Sequence, residues 1–204
     1  YANGQGVTQD DVQAFSWFSK AAEQGFAEAQ YNVGLLYIDG KGVSQDKRQA
    51  FSWCRKAAEQ GLTAAQADLG VMYDNGLGIA SDDRQAVIWY RKAAAQGDTD
   101  AQFNLGVMYA NGLGVEQDET QAVNWYRRAA EQGLADAQFN LGLMYANGQG
   151  VERDRDQAVD WCRRAAEQGN VGAQTILGMM YVSGDGLPQD YVQAYKWSNL
   201  AAAH

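Results

Sequence analysis

The chain has 204 residues, and its 25 carboxylates against 16 lysines and arginines give a formal charge of −9. That balance repels a nucleic-acid backbone, and no basic stripe interleaved with aromatics offsets it, so the residues argue against nucleic acid as a partner. No run approaches the roughly eighteen apolar residues that a membrane-spanning helix needs, so no span is expected.

Length alone would suit one or two globular domains, but a 36-residue period overrides it. All six tryptophans, Trp17, Trp53, Trp89, Trp125, Trp161 and Trp197, fall on that period, and of the 23 glycines only Gly172 does not. The expected organisation is one repeat array: a partial unit 1–26, full units 27–62, 63–98, 99–134 and 135–170, and a last unit 171–204. A unit of this size cannot bury its apolar face alone and must stack on its neighbours.

The chain opens partway through a unit, since Tyr1, Gly4 and Gly6 match Tyr37, Gly40 and Gly42. Tyr1 is not a natural start, and the N-terminus reads as truncated. The partial unit then supplies one helix, carrying Val12, Phe15, Trp17 and Phe18. Each later unit reads as two helices, and the unit from Thr99 shows the pattern. Its first helix is predicted over approximately Thr99–Ala110, with an apolar stripe of Ala101, Leu105, Val107, Met108 and Tyr109 at helical spacing. Gly106 sits inside it, as do Gly34, Gly70, Gly142 and Gly178 in the other units. A glycine there costs about 1 kcal/mol relative to alanine, so its recurrence implies a crossing helix that needs the backbone uncovered.

The first helix stops at Asn111-Gly112, and a Gly-x-Gly-Val turn follows. Asp-x-x-Gln comes next, as in Asp46/Gln49, Asp118/Gln121 and Asp154/Gln157, with the spacing of a capping box: Asp takes free backbone N–H groups and Gln reaches back. The second helix is predicted over approximately Glu119–Gln132, with a core face of Ala122, Val123, Trp125, Tyr126, Ala129 and Ala130. Gln132-Gly133-Leu134 closes it as a Schellman motif does. Its last turns carry cation pairs such as Arg55-Lys56 and Arg127-Arg128, which suit the helix dipole and lie within reach of Glu59, Glu131 and Glu167. The last second helix, with Tyr191, Val192, Tyr195, Trp197 and Leu200, and the helix of the partial unit offer apolar ends for end-to-end or homo-oligomeric contacts. Cys54 and Cys162 share one column three units apart, about 25–30 Å by layer spacing, too far for a disulfide.

These residues resemble the SEL-one-like repeat (SLR) family, relatives of the tetratricopeptide repeat. The pattern Ala…Leu-Gly-x-x-Tyr-x-x-Gly-x-Gly-Val-x-x-Asp-x-x-x-Ala-x-x-Trp-Tyr-x-x-Ala-Ala…Gly covers nearly the whole chain. Its loosest column is the Tyr after Trp, which Phe18, Cys54, Cys162 and Ser198 replace. The resemblance implies an all-α fold: a right-handed superhelical solenoid of antiparallel helix pairs, about eleven helices, with first helices lining a concave face. It also implies an adaptor that gathers protein partners, in a bacterial envelope, periplasm or cytoplasm; the residues leave the compartment open. The paired cysteines of one β-lactam-associated branch of the family are absent here.

Catalytic signatures are missing. The one histidine is His204, and no His-Glu-x-x-His, Cys-x-x-Cys, Gly-x-Ser-x-Gly or phosphate loop is present. No enzyme activity, cofactor or metal is expected. Binding is the better candidate, on the first helices where the skeleton relaxes. An acidic step (Glu28, Asp100, Asp136) runs beside an aromatic step (Tyr31, Phe103, Phe139), an amide step (Asn32, Asn104, Asn140) and an aliphatic step (Leu35, Val107, Leu143). Aromatics supply buried area, amides hold backbone groups and carboxylates select cations, so a basic or amphipathic protein segment is the expected partner. The aromatics also suit packing against the next unit. The alternatives are a receptor for a small ligand or cell-wall fragment, a weak hydrolase, and a purely architectural spacer.

Overall fold

A computed structural model describes residues 10–203. Among the described residues the chain is all-helical, with eleven helices and no strand. They are α1 (Asp11–Glu23), α2 (Ala27–Asp39), α3 (Lys47–Glu59), α4 (Thr63–Asn75), α5 (Asp83–Ala95), α6 (Thr99–Asn111), α7 (Glu119–Glu131), α8 (Ala135–Asn147), α9 (Arg155–Glu167), α10 (Val171–Ser183) and α11 (Tyr191–Ala202). The even-numbered helices are the first helices of the repeats, and the odd-numbered ones the second helices. Two compact units divide the chain, residues 1–101 and 102–204.

In the N-terminal unit each helix packs on the next, most closely where a first helix meets its own second helix, α2 on α3 and α4 on α5. The cause is the mid-helix glycine. A Cβ on Gly70 would lie 2.5 Å from the Tyr90 ring, and one on Gly34 would lie 2.6 Å from Cys54 Sγ. Bare backbone lets the second helix approach, and small residues of α3 complete the fit: Ala50, Cys54, Ala57 and Ala58 are buried in one cluster with Phe51, with Ala65, Leu69 and Met72 of α4 and with Trp89. The C-terminal unit repeats the plan. Gly106 meets Tyr126, Gly142 meets Cys162, and Ala122, Val123, Tyr126, Ala129, Ala130, Ala137, Leu141, Met144 and Trp161 form its main cluster.

Helix ends follow the sequence signals, with one correction. Asp10, Asp46, Asp82, Asp118, Asp154 and Asp190 all cap second helices, each carboxylate accepting the N–H of the Gln three residues on. The return half of the expected capping box is replaced. The cap's own N–H is bonded to a carbonyl in the last turn of the preceding first helix: Asp46 to Tyr37, Asp82 to Tyr73, Asp154 to Tyr145. That donor is already satisfied, and Gln157 instead accepts a hydrogen bond from Trp161 Nε1 at 3.2 Å. The second helices close in Schellman geometry, as where Gly61 N–H bonds Ala58 O and Leu62 N–H bonds Ala57 O. In the turn before α5, Gly78 has φ +78° and presses on the Lys47 carbonyl at the start of α3, where a Cβ would overlap it. Only glycine meets both demands.

The cation pairs do more than complement a dipole. In the N-terminal unit Lys20, Lys56 and Lys92 lie over the rings of Trp17, Trp53 and Trp89, at 4.6, 3.9 and 3.7 Å from the centroids. In the C-terminal unit Arg128 and Arg164 cover Trp125 and Trp161 at 4.7 and 4.6 Å. The spacing is i to i+3, one helical turn, so each cation shields its own tryptophan. Of the expected ion pairs Arg55–Glu59 forms at 2.7 Å. Arg127 turns to the Tyr145 hydroxyl at 2.8 Å, and Arg163 to Asp160 at 3.7 Å.

Candidate functional site

The first helices are positioned by a buried glutamine column. In the N-terminal unit Gln30 and Gln66 are 6% and 5% exposed, and their Nε2 groups donate to the carbonyls of Ala22 and Ala58. Their Oε1 atoms accept from Gln60 and Gln96 of the following second helix, each at 2.7 Å. In the C-terminal unit Gln132 donates to Gln102 at 2.8 Å and Gln168 to Gln138 at 2.7 Å. Gln30, Gln66 and Gln138 are thereby tied both to the helix before and to the one after. Sequence reasoning passed over this column; its signal is the glutamine repeating at Gln30, Gln66, Gln102, Gln138 and Gln174 inside an apolar stripe. Gln174 Oε1 is buried and has no partner.

In the N-terminal unit the candidate residues on α2 stand on the side away from that column. Glu28 is exposed, while Tyr31, Asn32 and Leu35 are half-buried. Tyr31 donates its hydroxyl to Asp68 Oδ2 of α4 at 2.8 Å, so α2 and α4 share this face. Burial, with the Asp68 carboxylate beside it, raises the Tyr31 pKa above the ordinary phenol range. Asn32 is spent locally, its amide donating to the Glu28 carbonyl at 2.8 Å. Asp100 is exposed at the start of α6. Asp68 stands in the column of Asn32, Asn104 and Asn140: burial raises its pKa above the usual carboxylate value, the Tyr31 hydrogen bond opposes that, and Asp98 adds to it. Asp74 behaves alike, half-buried with its Oδ2 taking the Tyr90 hydroxyl at 3.3 Å.

In the C-terminal unit Asp136 is exposed, and Phe103, Asn104, Val107, Phe139, Asn140 and Leu143 are half-buried. Phe103 and Val107 pack on the main cluster, the Phe103 ring lying 5.8 Å from that of Tyr126. Phe139 packs on the cluster of Val159, Ala165, Ala173, Leu177 and Trp197. It occupies the space over Gly172, where a Cβ would be 2.9 Å from its Cζ. The glycine that breaks the period is the one that accommodates this ring. Asn140 is hydrogen-bonded to the Tyr126 hydroxyl; burial dominates there and pushes that phenol up to about 12. Asp136 accepts from Asn170 Nδ2 at 2.7 Å. The aromatic step therefore both packs the neighbouring helices and leaves part of each ring on the surface.

The thiols are not part of this face. Cys54 and Cys162 are free and fully buried, filling the place that Tyr90 and Tyr126 take in the other repeats. Burial pushes their pKa values up to about 12 and about 11, which keeps both as neutral thiols. No helix among the described residues is long and apolar enough to cross a membrane.

The profile of the Sel1 repeat family matches residues 1–26, 27–62, 63–98, 99–134, 135–170 and 171–204. No curated protein matches the chain. Among solved structures, c5321, a protective antigen of uropathogenic Escherichia coli displaying an SLR fold, is 43% identical with a TM-score of 0.95. The match covers 100% of this chain and 44% of that one, so the chain spans less than half of its length. A Sel1 repeat protein from Oxalobacter formigenes is 35% identical over 95% of this chain and 82% of its own, with a TM-score of 0.84. The immunity protein Pa5087 from Pseudomonas aeruginosa shares the fold at 22% identity and a TM-score of 0.54, over 96% of this chain and 75% of its own. With the family profile matched from end to end and the helix pairs in place, the chain belongs to the Sel1 repeat family and has its solenoid fold.

Proposed function

We propose that the chain is a non-enzymatic scaffold that holds a basic or amphipathic segment of a partner protein against its first-helix faces. One observation carries this reading: charge is segregated by helix type. The five first helices, each of 13 residues, contain no lysine or arginine. All 16 cations lie on the second helices or in the connections. The first helices hold Glu28, Asp39, Asp68, Asp74, Asp100 and Asp136, beside half-buried aromatic and aliphatic side chains. An apolar surface rimmed by one sign of charge favours a ligand of the opposite sign and speeds its encounter. Sel1 repeat proteins are generally protein-interaction scaffolds, which agrees with this reading.

Site-specific photo-crosslinking in the native cell tests it. A photoreactive residue at Leu35 or Leu143, on first helices, is expected to trap one discrete partner, and high salt should weaken the capture. The same residue at Ser52 or Asn124, on second helices, should trap none. Capture only from the second-helix positions would overturn the reading, and no capture from either would favour an architectural spacer.

A further inference from the structure

The geometry points to the first-helix face of the N-terminal unit as the docking face for the cationic part of the partner segment, with Asp68 and Asp74 of α4 selecting it. This rests on the scaffold reading above and assigns its charge selectivity to two residues.

Both carboxylates are oriented before any ligand arrives. Asp68 is held by Tyr31 from α2, and Asp74 by Tyr90 from α5, each through Oδ2. A group fixed in place loses little freedom on binding, so more of its interaction energy appears as affinity. Among the described residues neither carboxylate has a cationic partner, and the charged groups acting on them are themselves acidic: Asp98 on Asp68, Asp83 on Asp74. Asp39, by contrast, is already paired with Lys41 at 2.8 Å. A partly desolvated carboxylate with no counter-ion attracts an incoming cation more strongly than an exposed one.

The surface around them is apolar. Leu35 and Val71 are half-buried on α2 and α4, and neither helix supplies a lysine or arginine to compete. The occupant that fits is a protein segment in which lysine or arginine is interspersed with aliphatic residues. Six residues of helix rise about 9 Å between Asp68 and Asp74. The helix also turns between them, so the carboxylates stand about 120° apart around α4 on either side of Val71, and two arginines about three residues apart in an extended segment reach both through their long side chains.

The C-terminal unit lacks the device. Asn104, Asn140 and Ile176 stand in the Asp68 column, and Ala110, Ala146 and Val182 in the Asp74 column. Its first helices offer amide and apolar contacts there, so this pair of tyrosine-held carboxylates belongs to the N-terminal unit.

The test uses the full chain and a short synthetic peptide with two arginines three residues apart in a valine and serine background, titrated by fluorescence anisotropy at low and physiological salt. Wild-type protein is expected to bind it in a salt-sensitive way, and the same peptide with glutamates for arginines should not bind. Asp68→Asn with Asp74→Asn, which keeps both acceptors for the tyrosine hydroxyls, should weaken binding by about tenfold or more, roughly 1.4 kcal/mol. Thermal melts confirm that the variant is folded. Equal affinity for wild type and double variant would overturn the assignment of these two residues while leaving the scaffold reading intact. Absence of binding to the wild type, or equal binding of the glutamate peptide, would overturn the inference as well. The scaffold reading stands or falls separately, on the crosslinking pattern.

Discussion

Gln60 Nε2 donates to Gln30 Oε1 at 2.7 Å, joining the end of one second helix to the buried face of the first helix before it. The same bond recurs from Gln96 to Gln66, from Gln132 to Gln102 and from Gln168 to Gln138. These bonds set the spacing of neighbouring helices from inside the stack. In each the acceptor glutamine is buried and the donor glutamine lies at the exposed end of a second helix.

Removing a buried glutamine within the ladder therefore removes two hydrogen bonds at once. Gln66→Ala leaves the Ala58 carbonyl with Gly61 N–H alone and takes one acceptor from Gln96, and two bonds of about 0.5–1.5 kcal/mol each give an expected loss of about 1–3 kcal/mol in urea unfolding. Gln174→Ala should lose less, because Gln174 Oε1 accepts no bond to begin with. Equal losses would mean that the inter-glutamine bond contributes nothing measurable.

Gly70→Ala sets two effects against each other. Helix propensity favours alanine by about 1 kcal/mol, but the new methyl would sit 2.5 Å from the Tyr90 ring. A buried ring between two packed helices has little room to give, and overpacking of this kind costs about 1–3 kcal/mol. The variant should be destabilised, with a lower melting temperature. A stabilised variant would show that the helix crossing is not as tight as described.

Asp68 makes a prediction with a definite sign. Its pKa in the folded state is raised above 3.8, chiefly by burial, so folding favours its protonated form. The associated stability is fully present below the unfolded pKa and is lost as pH rises through the folded one. At neutral pH the ionised carboxylate is thus a net cost. Asp68→Asn should raise the melting temperature at neutral pH, and the advantage should shrink as pH falls through the raised folded value and be gone below about 4, near the ordinary aspartate value. A variant less stable than wild type at neutral pH would refute this account.

Cys54 and Cys162 should be inert to thiol reagents in the native protein. Both are fully buried and held neutral, so labelling requires opening of the helix pair. The labelling rate is expected to rise with urea in step with unfolding. Rapid labelling without denaturant would mean that these helices open locally at low cost.

Much of the fold could be read from the period. The tryptophan ladder located the helix pairs, the Asp-x-x-Gln step located the second-helix starts, and the mid-helix glycines announced a close crossing. Such features are local, or fixed by backbone sterics, and a linear pattern records them. The capping-box return was misjudged because the donor it would serve is satisfied by a tyrosine carbonyl nine residues upstream, a bond that depends on how the loop folds back. Phe139 and Gly172 could not be paired from sequence, since they lie 33 positions apart and meet only when two first helices pack side by side.

Repetition of the 36-residue pattern was enough to dictate helices, their order and the stacked class of fold, because periodic apolar faces have no other way to leave water. Which side chains on those helices remain charged, half-exposed and unpaired was settled by packing. Asp68 and Asn140 occupy one column of the repeat, yet one receives a tyrosine hydroxyl from the neighbouring first helix and the other bonds the tyrosine of a second helix. Burial and partner choice are properties of neighbours in space, and a period along the chain does not encode them.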